Sequence, residues 1–287
     1  MGYLHIPNLF KDQTILEFKH LYAMEKLHGT SAHISYIPGH PDYNGGGLKF
    51  YSGEQAQNFI KLMQQYELLK PLNGMPALTI YGEFYGGKIQ KQSKRYGKKE
   101  RFCAFEVKIG ESWLSVPQAH EIVSKLGLEF VDYEFIPAEI DEINSLRDKP
   151  STQSLRNGVE EIQIREGIVL RPPIEVMLNN GDRIIAKHKR DEFRETKTPR
   201  SIGQILTLSN GNMVASEWVT ENRLNHILSI TGAIDISHTP IVVRAMTDDV
   251  IREGKGEVED NRDNRQAIGK AAANLFKKSL HNTIHGD

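Results

Sequence analysis

The chain of 287 residues holds one cysteine, Cys103. A single thiol forms no intrachain disulfide and no thiolate cluster for a metal, so a reducing, cytoplasmic setting is expected. Neither sign of charge is in excess, with 36 Lys and Arg against 37 Asp and Glu. That balance excludes the bulk basic character of many nucleic-acid binders and leaves such work to local patches. No apolar run approaches the roughly 18 residues that a spanning helix needs, and no charged-then-apolar leader opens the chain. A secreted or membrane-embedded protein is therefore not expected. A phosphate-cradling glycine loop is also missing, because the "NGGG" at 44–47 has no following Lys-Ser/Thr and reads as a loop tip.

What is present is an ordinary globular composition, 39% hydrophobic and 25% charged, in a chain long enough for two domains. Ala32, Ile34 and Tyr36 alternate after Gly29, which reads as a strand leaving a turn. Phe59, Met63, Tyr66 and Leu69 recur at helical spacing and predict an amphipathic helix over 54–70. Further strands are expected at "ALTIYGEFY", "RFCAFEVKI", "EFVDYEF", "IQIREGIVLR" and "RIIAKHK", with a short helix opened by Pro117 and closed by Gly127. After Pro199 the periodicity is helical only, so "ETKTPR" is expected to link a strand-rich body, 1–197, to a mainly helical domain, 198–287.

Chemistry enters with "EKLHG" around Lys26. Alone it is a weak signal. It is followed in order by "YGEFYG" with Glu83, "FCAFEV" with Phe105, "EGIVLR" with Glu166, and "AKHK" with Lys187 and Lys189. Those two lysines lie two apart on one strand and so share a face, where they can create a positive field. A Lys-x-Lys on a strand is ordinarily only solvated charge. The ordered set is what gives it meaning.

These five elements resemble the covalent nucleotidyltransferase superfamily of ligases and capping enzymes. The likeness is closest to the RNA ligase 2 type, which includes phage nick-sealing ligases and RNA-editing ligases; the His of "EKLHGT" belongs to that closer likeness. It spans roughly residues 20–197, and "TENRLN" in the tail is similar to the family's helical C-terminal domain. The resemblance implies an α+β fold: a nucleotidyltransferase domain of antiparallel sheets with flanking helices, then a small helical domain. It also implies an ATP-dependent RNA ligase that joins 3′-OH and 5′-phosphate ends, monomeric, acting on nicked duplex RNA or RNA/DNA hybrid.

By that resemblance Lys26 is the nucleophile that attacks the α-phosphate of ATP. A free lysine has a pKa near 10.4, so the amine needs neighbouring cations or desolvation to react at neutral pH. Lys187 and Lys189 would supply the cations and hold the α-phosphate. Glu83 is implied at the ribose hydroxyl and Glu166 at magnesium, or manganese in its place, with both carboxylates candidates for the metal. Phe105 is implied to stack on adenine, with Phe102 as the core residue on the opposite face. His28 is assigned to the joining chemistry, Arg171 to the phosphates, and Glu25 to the nucleotide site or to orienting the strand end. One departure stands out: where family members carry an Arg before Thr/Ser-Gly, "KFYSGEQ" places Tyr51.

The run 88–101, "KIQKQSKRYGKKER", sets seven Lys and Arg against Glu100 and is expected to be a mobile loop gripping nucleic-acid backbones through Lys94, Arg95, Lys98 and Lys99. From residue 198 onward 10 Lys and Arg face 11 Asp and Glu, so the tail is expected to act by shape. Two alternatives remain at this level. An ATP-dependent DNA ligase would ordinarily continue into a β-rich domain, and a catalytically dead binding module would be expected to lose the nucleophile that Lys26 retains.

Overall fold

A computed structural model describes residues 3–40 and 47–285. The glycine-rich stretch at 44–46 lies outside the described residues. The chain forms two compact units, one of Asp12–Arg190 with the N-terminal residues through Asn8, the other of Leu9–Lys11 with the chain from Asp191 onward.

The first unit begins with β1 (His20–Lys26) and β2 (Thr30–Tyr36), followed by β3 (Leu48–Tyr51). Between β1 and β2 the turn passes so close to β4 (Leu78–Gly86) that a Cβ on Gly29 would stand 2.5 Å from the Phe84 carbonyl oxygen. Only glycine fits there. The alternation of β2 is as expected, with Ala32, Ile34 and Tyr36 buried.

The helix expected over 54–70 is shorter and divided. α1 (Ala56–Met63) buries Phe59 and Met63, then the chain turns and α2 (Leu69–Leu72) begins. Pro71 sits in the first turn of α2, where proline is tolerated, and not deep inside one long helix. Tyr66 and Leu69 are consequently exposed, and Leu68 and Leu72 take the core positions.

α3 (Ser93–Tyr96) and β5 (Glu100–Ile109) follow, then the two-residue β6 (Ser112–Trp113) and α4 (Val116–Lys125), whose start is fixed by a reciprocal cap between Ser115 and Gln118. "EFVDYEF" is not one strand. β7 (Glu129–Phe130) pairs in parallel with β5, and β8 (Tyr133–Pro137) pairs antiparallel with β1. The chain crosses from one sheet to the other at Val131 and Asp132, which no alternation pattern reveals.

α5 (Ile140–Arg147) and α6 (Thr152–Arg156) lead to β9 (Gly167–Arg171) and β10 (Ala186–Lys189). Both strands are shorter than expected. Arg165 precedes β9, and its guanidinium donates to the Pro150 carbonyl at 3.2 and 3.3 Å. Two sheets result, β10-β9-β1-β8 and β3-β2-β4-β5-β6 with β7 beside β5. The core of this unit joins the second sheet to α1 and α4 through Ile34, Phe59, Ile80, Phe84, Val107 and Val123.

The second unit is helical. α7 (Gly211–Trp218), α8 (Glu221–Thr231), α9 (Thr239–Glu253) and α10 (Arg262–His285) enclose Trp218, Ile227, Met246, Val250 and Phe276. The stretch 195–200, expected as a linker, is anchored: the buried side chain of Arg200 pairs with Glu217 at 2.9 Å and Glu257 at 3.0 Å. Among the described residues no single helix is long and apolar enough to cross a membrane.

Candidate active site

Strand register builds the site. Lys26 lies opposite Gly167 across β1 and β9, and Lys189 lies opposite the same Gly167 across β9 and β10. The two lysines therefore flank one glycine, each about 4.8 Å away across the sheet. A Cβ at Gly167 would come within 2.3 Å of the His188 carbonyl oxygen, so only glycine allows β10 to approach this closely.

Glu166 stands immediately before that glycine and joins the row. Its Oε2 accepts from Lys26 Nζ at 3.0 Å and meets His28 Nδ1 at 3.3 Å, while its Oε1 pairs with Lys189 at 3.1 Å. The carboxylate is almost wholly buried, at 1% exposure. Burial alone would raise its pKa, but Lys26 and Lys189 outweigh it and hold the group well below the usual carboxylate range. A fixed negative charge thus sits among the nucleophile candidate and two further bases.

Glu83 occupies β4 opposite Ser31 and Cys103 and accepts a hydrogen bond from the Gly29 N–H. Burial, joined by repulsion from Glu166 and opposed by Lys26, pushes its pKa up to about 7. Near neutral pH the two carboxylates therefore share this corner with one proton partly retained on Glu83.

The turn that carries His28 is held from the basic segment. The His28 N–H donates to the Tyr96 hydroxyl at 3.1 Å, and the Gln90 amide donates to the Gly29 carbonyl. Tyr96 is fully buried and packs edge-on to Tyr85 at 5.0 Å. Gln90 is the sole non-glycine among the described residues at positive φ, 48°. Such backbone costs of order 1–3 kcal/mol and persists where its surroundings enforce it. Residues 88–99 are thus wired to the Lys26 turn and are not a free loop. Lys94, Lys98 and Lys99 are exposed, whereas Arg95 is half-buried, donating to Gln92 at 3.1 Å and to the Ile164 carbonyl. Sequence reasoning missed Gln90 and Tyr96, uncharged residues in a run read for its charge.

Lys187 lies two residues before Lys189 on β10, and its backbone N–H donates to the Pro7 carbonyl at 2.8 Å. His188, between them, meets Asn144 at 2.8 Å. Burial and then Arg147 lower its pKa to about 4, so it stays neutral.

Phe102 is core, packed on Phe59 at 5.2 Å. Phe105 is the extra residue of a β-bulge, since Tyr81 pairs with Glu106 and Gly82 with Ala104, and it packs edge-on to Tyr3 at 5.0 Å.

Arg171 and Glu25 are directed elsewhere. Arg171 lies four positions along β9 from Gly167, roughly 13 Å by strand rise. It is buried against Glu106 at 3.1 Å, Glu175, and the Leu114 carbonyl at 2.7 Å. Glu106 also binds Arg183 at 2.9 Å and accepts from the Tyr3 hydroxyl at 2.5 Å, so the acid after Phe105 anchors an ion cluster. Glu25 faces away from Lys26, as strand alternation requires, and accepts from Ser151 Oγ at 2.5 Å and the Gln153 N–H at 3.2 Å. Its contacts fix the end of β1 against the start of α6.

A family model described as RNA ligase matches residues 19–189. The chain belongs to the RNA ligase family. Among solved structures it is similar to a Naegleria gruberi RNA ligase variant with ATP and manganese, at TM-score 0.51 and 15% identity over 67% of this chain and 57% of that one. The same ligase with pyrophosphate matches at TM-score 0.50 and 16% identity, with the same coverage. At such identity the likeness is one of fold, α+β with antiparallel sheets, and the chain spans a little over half the length of those ligases. A search of curated proteins finds no match.

Proposed function

We propose that this protein is an ATP-dependent RNA ligase of the RNA ligase 2 type, sealing a 3′-OH to a 5′-phosphate in nicked duplex RNA or RNA/DNA hybrid. The Glu166 carboxylate shared by Lys26, His28 and Lys189 carries the reading, because it gathers the ordered motifs into one charge network. Lys26 Nζ attacks the α-phosphorus; a P–N bond forms, and the bond to the pyrophosphate oxygen breaks. A 5′-phosphate oxygen then displaces the lysine from AMP, and the 3′-oxygen displaces AMP from the 5′-phosphorus. Lys189 and Lys187 stand on the strand from which cations can meet charge that builds on the phosphate.

Among the described residues no group of three or more His, Cys, Asp or Glu forms a metal cage. A pair of carboxylates fits magnesium, which keeps most of its waters and takes one or two carboxylates beside the phosphates. Glu83 and Glu166 would hold it, and the proton that burial, with repulsion from Glu166, keeps on Glu83 is what a divalent cation would replace. Bound there, the cation would neutralise phosphate charge.

The sign of the pH dependence follows. Glu83 has a raised pKa, so it is protonated below about pH 7 and ionised above it. Metal-dependent AMP labelling at subsaturating metal should rise as pH increases through 7. Glu83→Gln should lose that inflection. A variant that keeps it would assign the inflection to another group.

The all-helical second unit favours this reading over a DNA ligase with a β-rich extension, as no strand occurs among the described residues after Arg190. Activity on nicked duplexes with RNA or DNA on each side tests it: RNA on the 3′-OH side should be required for efficient sealing, and equal rates on all-DNA nicks would overturn it. Cytoplasmic location and a monomeric state belong to the same proposal.

Exposed Lys94, Lys98 and Lys99 are proposed to touch the phosphate backbone. Replacing all three by Ala should flatten the slope of log affinity against log salt by close to one unit per lost contact. Arg95 is left intact because it holds Ile164. An unchanged slope would make these lysines simple solvated charge.

A further inference from the structure

Tyr51, the departure from the family pattern, belongs to a row of rings crossing the second sheet. His33 lies opposite Tyr51 on one side and Tyr81 on the other. The His33 and Tyr51 rings stack at 4.3 Å and 17°, Tyr81 follows at 5.4 Å from His33, and Trp113 at 5.4 Å from Tyr81. All four are half-buried, presenting part of their surface to solvent. Glu83 lies two residues beyond Tyr81 on β4 and so shares its face, which makes the row continuous with the proposed catalytic corner.

The charge around the row suits a polynucleotide. Lys49 stands over the Tyr51 ring at 5.3 Å, on the edge strand of the sheet. The acid opposite Tyr81, Glu106, is fully buried and neutralised by Arg183. Burial keeps His33 neutral, with its pKa lowered to about 4, so its ring stacks without carrying charge at working pH. A guanidinium at position 51 would read phosphate; a phenol ring instead offers a π-face, on which any base stacks.

We propose that Tyr51, stacked on His33, binds a nucleobase at the polynucleotide end being joined, with Lys49 placed beside the adjoining backbone. The base adds one layer to the His33–Tyr51 stack at the edge of the sheet, taking the place of the Lys49 ammonium over the Tyr51 ring. Recognition there is tolerant of sequence and weakly dependent on salt, unlike the lysines of the basic segment. The inference rests on the ligase reading.

The test is a titration without ATP, using oligonucleotide duplexes that carry 2-aminopurine at the 3′-OH or at the 5′-phosphate side of a nick. Quenching of one of these probes by the unmodified protein is expected. Tyr51→Leu, which keeps apolar bulk without a π-face, should abolish the quenching and weaken binding about tenfold. Tyr51→Phe should retain both. Tyr51→Arg should bind without quenching and with a steeper salt slope. Thermal melts of each variant separate lost stacking from lost folding, and the Arg and Phe variants keep the test decisive if Leu unfolds the strand. Quenching and affinity that survive in Tyr51→Leu, or no quenching of either probe by the unmodified protein, overturn the proposal. Failure of the ligase reading shows elsewhere, as absence of AMP on Lys26 in unmodified protein given ATP.

Discussion

Lys26→Ala should abolish covalent AMP labelling of the protein by ATP and divalent metal, and with it the joining of ordinary 5′-phosphate nicks. The reason is chemical: at the end of β1 the side chain is held 3.0 Å from Glu166 and remains 24% exposed, positioned yet reachable. Sealing of a nick that already carries AMP on its 5′-phosphate should remain measurable, because that substrate enters after the lysine has done its work. Lys26→Arg is the sharper variant. It keeps a cation for Glu166, so thermal stability should be close to that of the parent protein, but a guanidinium stays protonated and does not attack phosphorus. Mass spectrometry of the intact protein after incubation with ATP checks both. A single adenylyl adduct should be present on the parent and absent from each variant, which places it on Lys26. AMP on the Ala variant would remove Lys26 as the nucleophile.

How much of this was legible in the sequence depends on whether a contact is local. The turn at Gly29, the alternation of β2, the opening and closure of α4, and the helical character of the tail follow from neighbours in the chain, and they stand in the structure. The order of motifs was enough for the family. What pattern could not supply was the partner across space. Nothing in "EGIVLR" says that Glu166 meets Lys26, 140 residues earlier, and that contact depends on both strands reaching the level of Gly167. Arg171 sits in the same motif and is expected at the phosphates, yet its length of strand carries it to Glu106 and Glu175. The basic run was read by its charges, whereas its uncharged Gln90 and Tyr96 are what fasten it. "EFVDYEF" was read as one strand because both halves are extended; the switch between sheets lies in hydrogen bonds of Val131 to Ala104 and Glu25 to Asp132.

The second large effect is expected at Glu166. Glu166→Gln preserves shape and removes one buried negative charge, leaving Lys26 and Lys189 facing a neutral amide. Adenylation should fall by about 10²–10³-fold, the range typical of deleting one preorganised electrostatic group. Stability should fall too. Breaking a buried ion pair costs about 3–5 kcal/mol, and because Lys26 and Lys189 are 24% and 17% exposed, solvent lowers the expectation to about 1–3 kcal/mol. The pH dependence distinguishes this from a packing defect. Glu166 has a depressed pKa in the folded protein, so its stabilisation is present above the unfolded carboxylate value near 4.3 and is lost as pH falls through the folded value. The difference in melting temperature between the parent and Glu166→Gln should therefore be largest near neutrality and shrink on acidification below about pH 4, as the parent takes up the proton that the amide mimics. Glu166→Asp keeps the charge on a shorter arm and should recover part of the stability, but it should recover little adenylation if one carboxylate must span both lysines. Labelling of the Gln variant at the parent rate, or a melting difference that does not change with pH, would remove Glu166 from the centre of this site.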